Sequence, residues 1–252
     1  AGSLPYRLFR RIEGFVNARA DLILTSSGPA ARDLVERWGV PAGTVRPLPD
    51  GVDAGEFKPC NRREARRELG LPPDVPVAVF LGVLNRYQGI DILLEVIGII
   101  RDRCIPLHFL VMGFPHQRYQ RRADEAGISD RITFTGRIDY RDAPRLLAAG
   151  DVALSPKISL SEANGKLFNY MACGLPVLAF DTQINREILG DTGVYARFGD
   201  AADFAVRLAD LIEREDLRRE LAVAVRKRAV DEHSWEARGR ILEQACRDAA
   251  GR

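Results

Sequence analysis

Apolar residues along this chain follow two periods. Val77-Ala78-Val79-Phe80-Leu81-Gly82, Leu107 to Met112, Val152-Ala153-Leu154-Ser155 and Val177-Leu178-Ala179-Phe180 are short apolar runs. Such runs predict parallel strands covered on both faces. Between them the period lengthens: Ile90, Leu93, Leu94, Ile97 and Ile100 recur at helical spacing. The pattern predicts further helices at about 116–126, 143–149 and 166–173, and further strands over Arg131 to Thr135 and Gly193 to Ala196. Three helices close the chain at about 200–213, 214–231 and 234–249. This alternation implies an α/β fold with a doubly wound parallel sheet.

The first fifty residues read differently. Leu4 to Asn17 predicts a helix, and Asp21-Leu22-Ile23-Leu24-Thr25 a buried strand. Ser26-Ser27-Gly28-Pro29 starts a helix that runs to about 38, and Thr44 to Leu48 predicts a second short strand. Pro47, Pro49, Asp50, Gly51 and Pro59 then break the pattern. Two strands cannot by themselves make a covered parallel sheet. The expected organisation is therefore the end of one Rossmann-like domain (1–50), a linker with a connecting helix (51–74), a complete Rossmann-like domain (75–232), and a last helix (233–252) packing back toward the first. Residue 1 is Ala, and the chain is expected to be a piece of a longer one.

Charge narrows the partners. Lys and Arg number 37 against 35 Asp and Glu, a net charge of +2, so a polyanion binder is not expected. Arg62-Arg63-Glu64-Ala65-Arg66-Arg67 reads as a solvated helix face with i,i+4 pairs, not a nucleic-acid footprint. No apolar run reaches the ~18–20 residues needed to span a bilayer. Arg7, Arg10 and Arg11 share the first helix with Leu4, Phe9 and Phe15. Peripheral membrane contact and packing on a neighbouring domain both fit that helix, and packing is preferred. Cys60, Cys104, Cys173 and Cys246 lack zinc spacing and read as reduced core thiols of a cytoplasmic protein. No metal site is expected.

Ligands of open α/β sheets bind beyond the carboxyl ends of the strands, here the loops 82–89, 113–118, 135–140, 155–166 and 180–185. Gly82 and Gly89 bracket the first loop and permit close backbone approach to an anion, or mark a plain turn. The spacing is not G-x-G-x-x-G, so the dinucleotide fingerprint is absent. In the 155–166 loop, Glu162, Asn164 and Gly165 precede a helix whose first turn carries Lys166. The sequence is not a Walker A loop, since Leu160 and Leu167 stand where its first Gly and its Ser/Thr belong. A lysine at a helix start is unfavourable unless it meets an anion. Either Lys166 is a solvated surface residue or it faces an anionic ligand, and the misfit favours the ligand. His108 reads as a satisfied core residue, and His116 as a weak site candidate.

Gly165-Lys166-Leu167-Phe168-Asn169-Tyr170-Met171-Ala172-Cys173-Gly174-Leu175-Pro176-Val177-Leu178-Ala179-Phe180 resembles the "K-L-F-E-Y-M-A-x-G-x-P-V-V-A" segment of the family-4-like retaining glycosyltransferases of the GT-B fold. Asp50-Gly51-Val52-Asp53 resembles their "N-G-V-D", and Phe134-Thr135-Gly136 their "F-x-G". Gly150-Asp151-Val152 through Pro156 resembles "A-D-V-x-x-x-P", and Ser234-Trp235 the "S-W" that opens the last helix. The resemblance implies two facing Rossmann-like domains, the second gripping a UDP- or GDP-sugar donor, which is a substrate and not a cofactor. It implies transfer with retention, without metal, to a sugar or lipid-linked glycan. By position it implies the loop of Gly82, Arg86, Gln88 and Gly89 at the diphosphate and Arg137 and Ile138 at the base. It implies Glu162, Asn164, Gly165, Lys166 and Leu167 at phosphates and sugar, and Asn169 at the ribose.

The departures from the family pattern concern charge. Val83 and Gln88 stand where its loop carries Arg and Lys, and Ser161 and Asn169 where it carries the paired Glu. Two charges ~4 Å apart at an effective dielectric of ~20 interact by about 4 kcal/mol, so the phosphate charge would fall to Arg86, Lys157 or Lys166. Glu162 and Lys166 are the expected catalytic pair. A nucleotide-sugar binding module without turnover is the alternative. A related sugar epimerase is disfavoured because no acid/base histidine pair is visible.

Overall fold

The computed structural model describes residues 4–160 and 162–251. It opens with α1 (Leu4–Asn17), β1 (Ile23–Thr25), α2 (Gly28–Trp38) and β2 (Val45–Pro47), and β1 and β2 pair as a two-stranded parallel sheet. The Ser27 hydroxyl caps α2, and Pro29 occupies its first turn, in line with the sequence signal. Every described side chain of α1 is exposed or half-buried; its apolar residues Leu4, Leu8, Phe9, Ile12, Phe15 and Val16 face outward.

The rest of the chain runs through α3 (Arg62–Glu68), β3 (Val77–Leu81), α4 (Ile90–Asp102), β4 (His108–Met112), α5 (Gln117–Glu125), β5 (Ile132–Gly136) and α6 (Ala143–Leu147). It continues through β6 (Val152–Ser155), α7 (Lys166–Ala172), β7 (Val177–Phe180), α8 (Gln183–Leu189), β8 (Gly193–Ala196), α9 (Ala201–Glu213), α10 (Glu215–His233) and α11 (Trp235–Ala250). The six strands form one parallel sheet in the order β5-β4-β3-β6-β7-β8. That order is the doubly wound Rossmann arrangement, with its reversal between β3 and β6.

Strand alternation divides the core in two. Val77, Val79, Leu110, Met112, Ala153 and Val177 face a layer that includes Leu147, Phe168, Tyr170 and Val225. Ala78, Phe80, Phe109, Val111, Leu154 and Phe180 face a layer that includes Leu93, Ile97, Phe204 and Leu208. Each fully buried large side chain contributes about 1.5–3 kcal/mol, and both faces are filled, which explains the unbroken apolar runs. The Tyr170 hydroxyl accepts the Leu81 backbone N–H at 2.7 Å, which fixes α7 against the end of β3.

Two expectations are corrected and one helix is added. Arg66 does not lie on a solvated helix face: it is 7% exposed and paired with Asp151. Asp151 also accepts from Val77 N at 2.7 Å and from Arg62 at 2.8 Å, so α3 is locked to the starts of β3 and β6. The thiols do not share a core. Only Cys173 is buried; Cys60, Cys104 and Cys246 are exposed. Helix α8, which the pattern does not predict, starts on a Thr182 cap.

The chain crosses between the two sheets twice, side by side. Val52 N donates to His233 O at 2.9 Å, and Trp235 N to Val52 O at 3.1 Å. A second contact joins α2 to α8, where Gly28 N donates to the Glu187 carboxylate at 3.1 Å and Arg32 pairs with Gln183.

Candidate functional site

A cleft of about 360 Å³ opens beyond the carboxyl ends of β3, β4 and β6, at the point where the strand order reverses. The fold places ligands there. Of the expected residues, Gly82, Gln88, Ile138, Lys157, Asn164, Gly165, Lys166 and Asn169 line it. Four of the five expected loops contribute; 180–185 does not reach the wall.

Close backbone packing shapes the cleft. A Cβ on Gly113 would stand 1.9 Å from Gly82 O, and one on Gly89 1.8 Å from Pro156 O. Only glycine fits either position, and Gly89 also has φ +78°. Gly89 therefore serves the junction between the 82–89 and 155–166 loops. Ile158 N donates to Tyr87 O at 3.2 Å, and the Tyr87 hydroxyl bonds Ser159 Oγ at 2.7 Å, closing the same junction.

The two lysines differ. Lys157 is buried, but its ammonium donates to Ala163 O at 2.7 Å and pairs with Glu162 at 3.3 Å. It is committed to holding the loop. Lys166 Nζ is buried with no hydrogen-bond partner among the described residues, and sits 4.1 Å from the centroid of the Phe80 ring. Burial, with a smaller contribution from Lys157, lowers its pKa to about 7. An anion in the cleft would restore the charge. Gln88 Oε1 and Asn164 Oδ1 are likewise buried and unpartnered.

Other expected residues lie off the wall. The Glu162 side chain is 62% exposed and turned to Lys157. Arg86 is exposed on a 3-10 turn, and Arg137 stacks on Phe114, its guanidinium carbon 5.1 Å from the ring centroid. Leu167 lies in the core. His116 packs under Gly136, and His108 bonds Thr133 at 2.9 Å. Ser161 lies outside the described residues.

Sequence reasoning misses Phe114 and Tyr140, which line the cleft. The Tyr140 hydroxyl donates to Asn169 Oδ1 at 3.1 Å and its ring packs on Phe57. Phe114 lies in an expected loop, but no sequence signal marks Tyr140. A larger cavity, about 640 Å³, lies between β2 and α11. No residue of the six-stranded sheet or its carboxyl-end loops lines it.

The sequence model of the family "Glycosyl transferases group 1" matches residues 61–228, which contain the whole cleft. The chain belongs to this family. It is 32% identical over 232 residues to the D-inositol 3-phosphate glycosyltransferase of Nocardia farcinica, covering 86% of this chain and 51% of that protein. The Geodermatophilus obscurus protein of the same name is 30% identical over 238 residues, covering 88% and 51%. The chain thus spans about half the length of the curated relatives it matches. Sucrose-phosphate synthase from Thermosynechococcus elongatus superposes with a TM-score of 0.82 at 24% identity, over 100% of this chain and 64% of that one. Anabaena Alr3699/HepE, solved with UDP and glucose, superposes with 0.83 at 19% identity, over 96% and 67%. These likenesses give the GT-B type of fold. No helix among the described residues is long and apolar enough to cross a membrane.

Proposed function

We propose that the protein transfers a sugar from a nucleoside diphosphate sugar to a sugar or lipid-linked acceptor, with retention of anomeric configuration. The observation that carries this reading is Lys166: a buried, unpartnered amine in a cleft at the strand-order reversal. A departing diphosphate supplies the missing anion, and stabilising the charge that develops on it is the main way such a site lowers a barrier. Lys157 holds the Ala163 carbonyl and so shapes the wall. Phe114 and Ile138, with Arg137 stacked on Phe114 from outside the wall, offer an apolar surface for the base. Asn169, held by Tyr140, meets the ribose. The UDP complexes of Alr3699/HepE support UDP over GDP as the first donor to try. The names of the curated relatives add D-inositol 3-phosphate to the acceptors.

The test is calorimetric titration of UDP and GDP into the wild-type protein and Lys166→Ala. Loss of diphosphate binding in the variant supports the role; unchanged affinity overturns it. A second reading, donor binding without turnover, is favoured by Val83 and Gln88, which leave the 82–89 loop without a cation on the cleft wall. Release of UDP from a bound UDP-sugar in the presence of acceptors separates the two. Packing on a neighbouring domain is the preferred role of α1; peripheral membrane contact is its alternative, since its basic and apolar faces also suit an anionic surface, and vesicle co-sedimentation tests it.

A further inference from the structure

We infer that Asn164 reads a hydroxyl group of the transferred sugar, accepting its hydrogen through Oδ1 and thereby selecting donors that carry that hydroxyl. The inference rests on the nucleotide-sugar reading above and adds to it which part of the donor this side chain meets.

A chain of hydrogen bonds fixes the orientation of the Asn164 amide. The Phe180 carbonyl can only accept, and Asn185 Nδ2 donates to it at 2.8 Å. That bond turns Asn185 Oδ1 toward Asn164, whose Nδ2 donates to it at 2.9 Å and to Ser155 Oγ at 2.9 Å. Reversing the Asn164 amide would bring two carbonyl oxygens to that distance with no hydrogen between them. The Asn185 backbone N–H is itself held by Thr182 Oγ1 at 3.2 Å, so the chain is anchored at both ends. Asn164 Oδ1 is left as a fixed acceptor. The residue is 2% exposed, lines the cleft, and its Oδ1 has no partner among the described residues.

The chemistry of the missing partner follows. A buried acceptor left unpaired costs about 1–3 kcal/mol, and a ligand that brings a donor to it recovers that cost. The oxygens of an ionised diphosphate are acceptors and cannot serve. Hydroxyl groups of a sugar can. Gln88 Oε1 is also unpartnered among the described residues, and no comparable chain of bonds among them fixes which way that amide faces, so it can turn to either kind of ligand group. Lys166 takes the anion and Asn164 the hydroxyl, which places the diphosphate and the sugar side by side in the one cleft.

Deoxy and deoxyfluoro donors test the inference on the wild-type protein. UDP, GDP, UDP-glucose, UDP-galactose, UDP-N-acetylglucosamine and GDP-mannose are titrated first, then the monodeoxy and monodeoxyfluoro forms of the sugar that binds most tightly. The expected result is a nucleotide sugar that binds more tightly than its free diphosphate. One ring position should then exist where both analogues lose about 10- to 100-fold. Fluorine cannot donate, so equal loss from both analogues marks a protein acceptor; a protein donor would tolerate the fluoro form. Asn164→Ala should match the deoxy analogue's loss, lose nothing further with that analogue, and keep the wild-type affinity for free UDP. The inference is overturned if every analogue binds within about threefold of its parent. It is also overturned if the variant loses free UDP and UDP-sugar equally, which would move Asn164 to the nucleotide. Binding of free diphosphates with no gain from any sugar overturns this inference alone. Failure to bind any diphosphate overturns the nucleotide-sugar reading and this one with it.

Discussion

Replacing Lys166 with methionine should stabilise the empty protein and abolish its response to nucleotide. The buried ammonium has no partner among the described residues, and burial carries its pKa from 10.5 to about 7. At about 1.4 kcal/mol for each tenfold change in proton affinity, that drop corresponds to about 5 kcal/mol. Below pH 7 the amine is charged in both the folded and the unfolded chain, and the whole cost falls on the folded state. Between pH 7 and 10.5 the folded protein sheds the proton while the unfolded chain keeps it, so wild-type stability rises with pH. Methionine keeps the unbranched shape over Phe80 and carries no charge. Its advantage should be about 5 kcal/mol at pH 6 and should shrink to about 2 kcal/mol at pH 9. Urea unfolding at both pH values, with and without UDP, is the assay. UDP at about a hundredfold excess over its Kd should add about 2.7 kcal/mol to the wild type and nothing to the variant. A variant less stable than wild type at pH 6, a pH-independent difference, or equal stabilisation of both proteins by UDP would refute this role for Lys166.

Asp151→Asn should cost about 3–5 kcal/mol in denaturant unfolding, because it leaves the buried Arg66 without its counter-charge. Gly89→Ala should fold less stably and lose donor binding in titration, since its Cβ would meet Pro156 O and its φ of +78° is left-handed. His233 is buried, and that burial lowers its pKa to about 4 against the opposing bond to the Ile188 carbonyl. It stays neutral in the fold while the unfolded chain takes up a proton, so stability should fall by up to about 3 kcal/mol as pH drops from 6.5 to 4. A His233→Gln variant, followed by thermal unfolding across that range, should lose this part of the acid sensitivity.

The elements legible in the sequence are those whose signal is local. The runs at Val77–Leu81 and Val152–Ser155 report a strand covered on both faces, and the structure puts β3 and β6 side by side at the centre of the sheet. Lys166 is legible for a different reason, as a charge placed where a helix start disfavours it. The misses involve partners distant in sequence. Arg66 looks like any arginine on a charged helix until Asp151 is beside it, 85 residues later. Asn164 gains its fixed orientation from Asn185, on a helix whose short apolar pattern gives no period to read. Residue type alone points Cys60, Cys104 and Cys246 to the core, and type does not determine burial on linkers, turns and the outer faces of helices.

The paired crossings at Val52 and His233–Trp235 have a mechanical consequence. Two bodies joined at one flexible point can swing and twist in any direction. Joined by two adjacent segments that are hydrogen-bonded to each other, they keep rotation about the line through both crossings and resist sliding and torsion. The α2–α8 bond from Gly28 N to the Glu187 carboxylate is a further tie between the same two parts, and any opening between the two sheets must break it while the paired crossings hold.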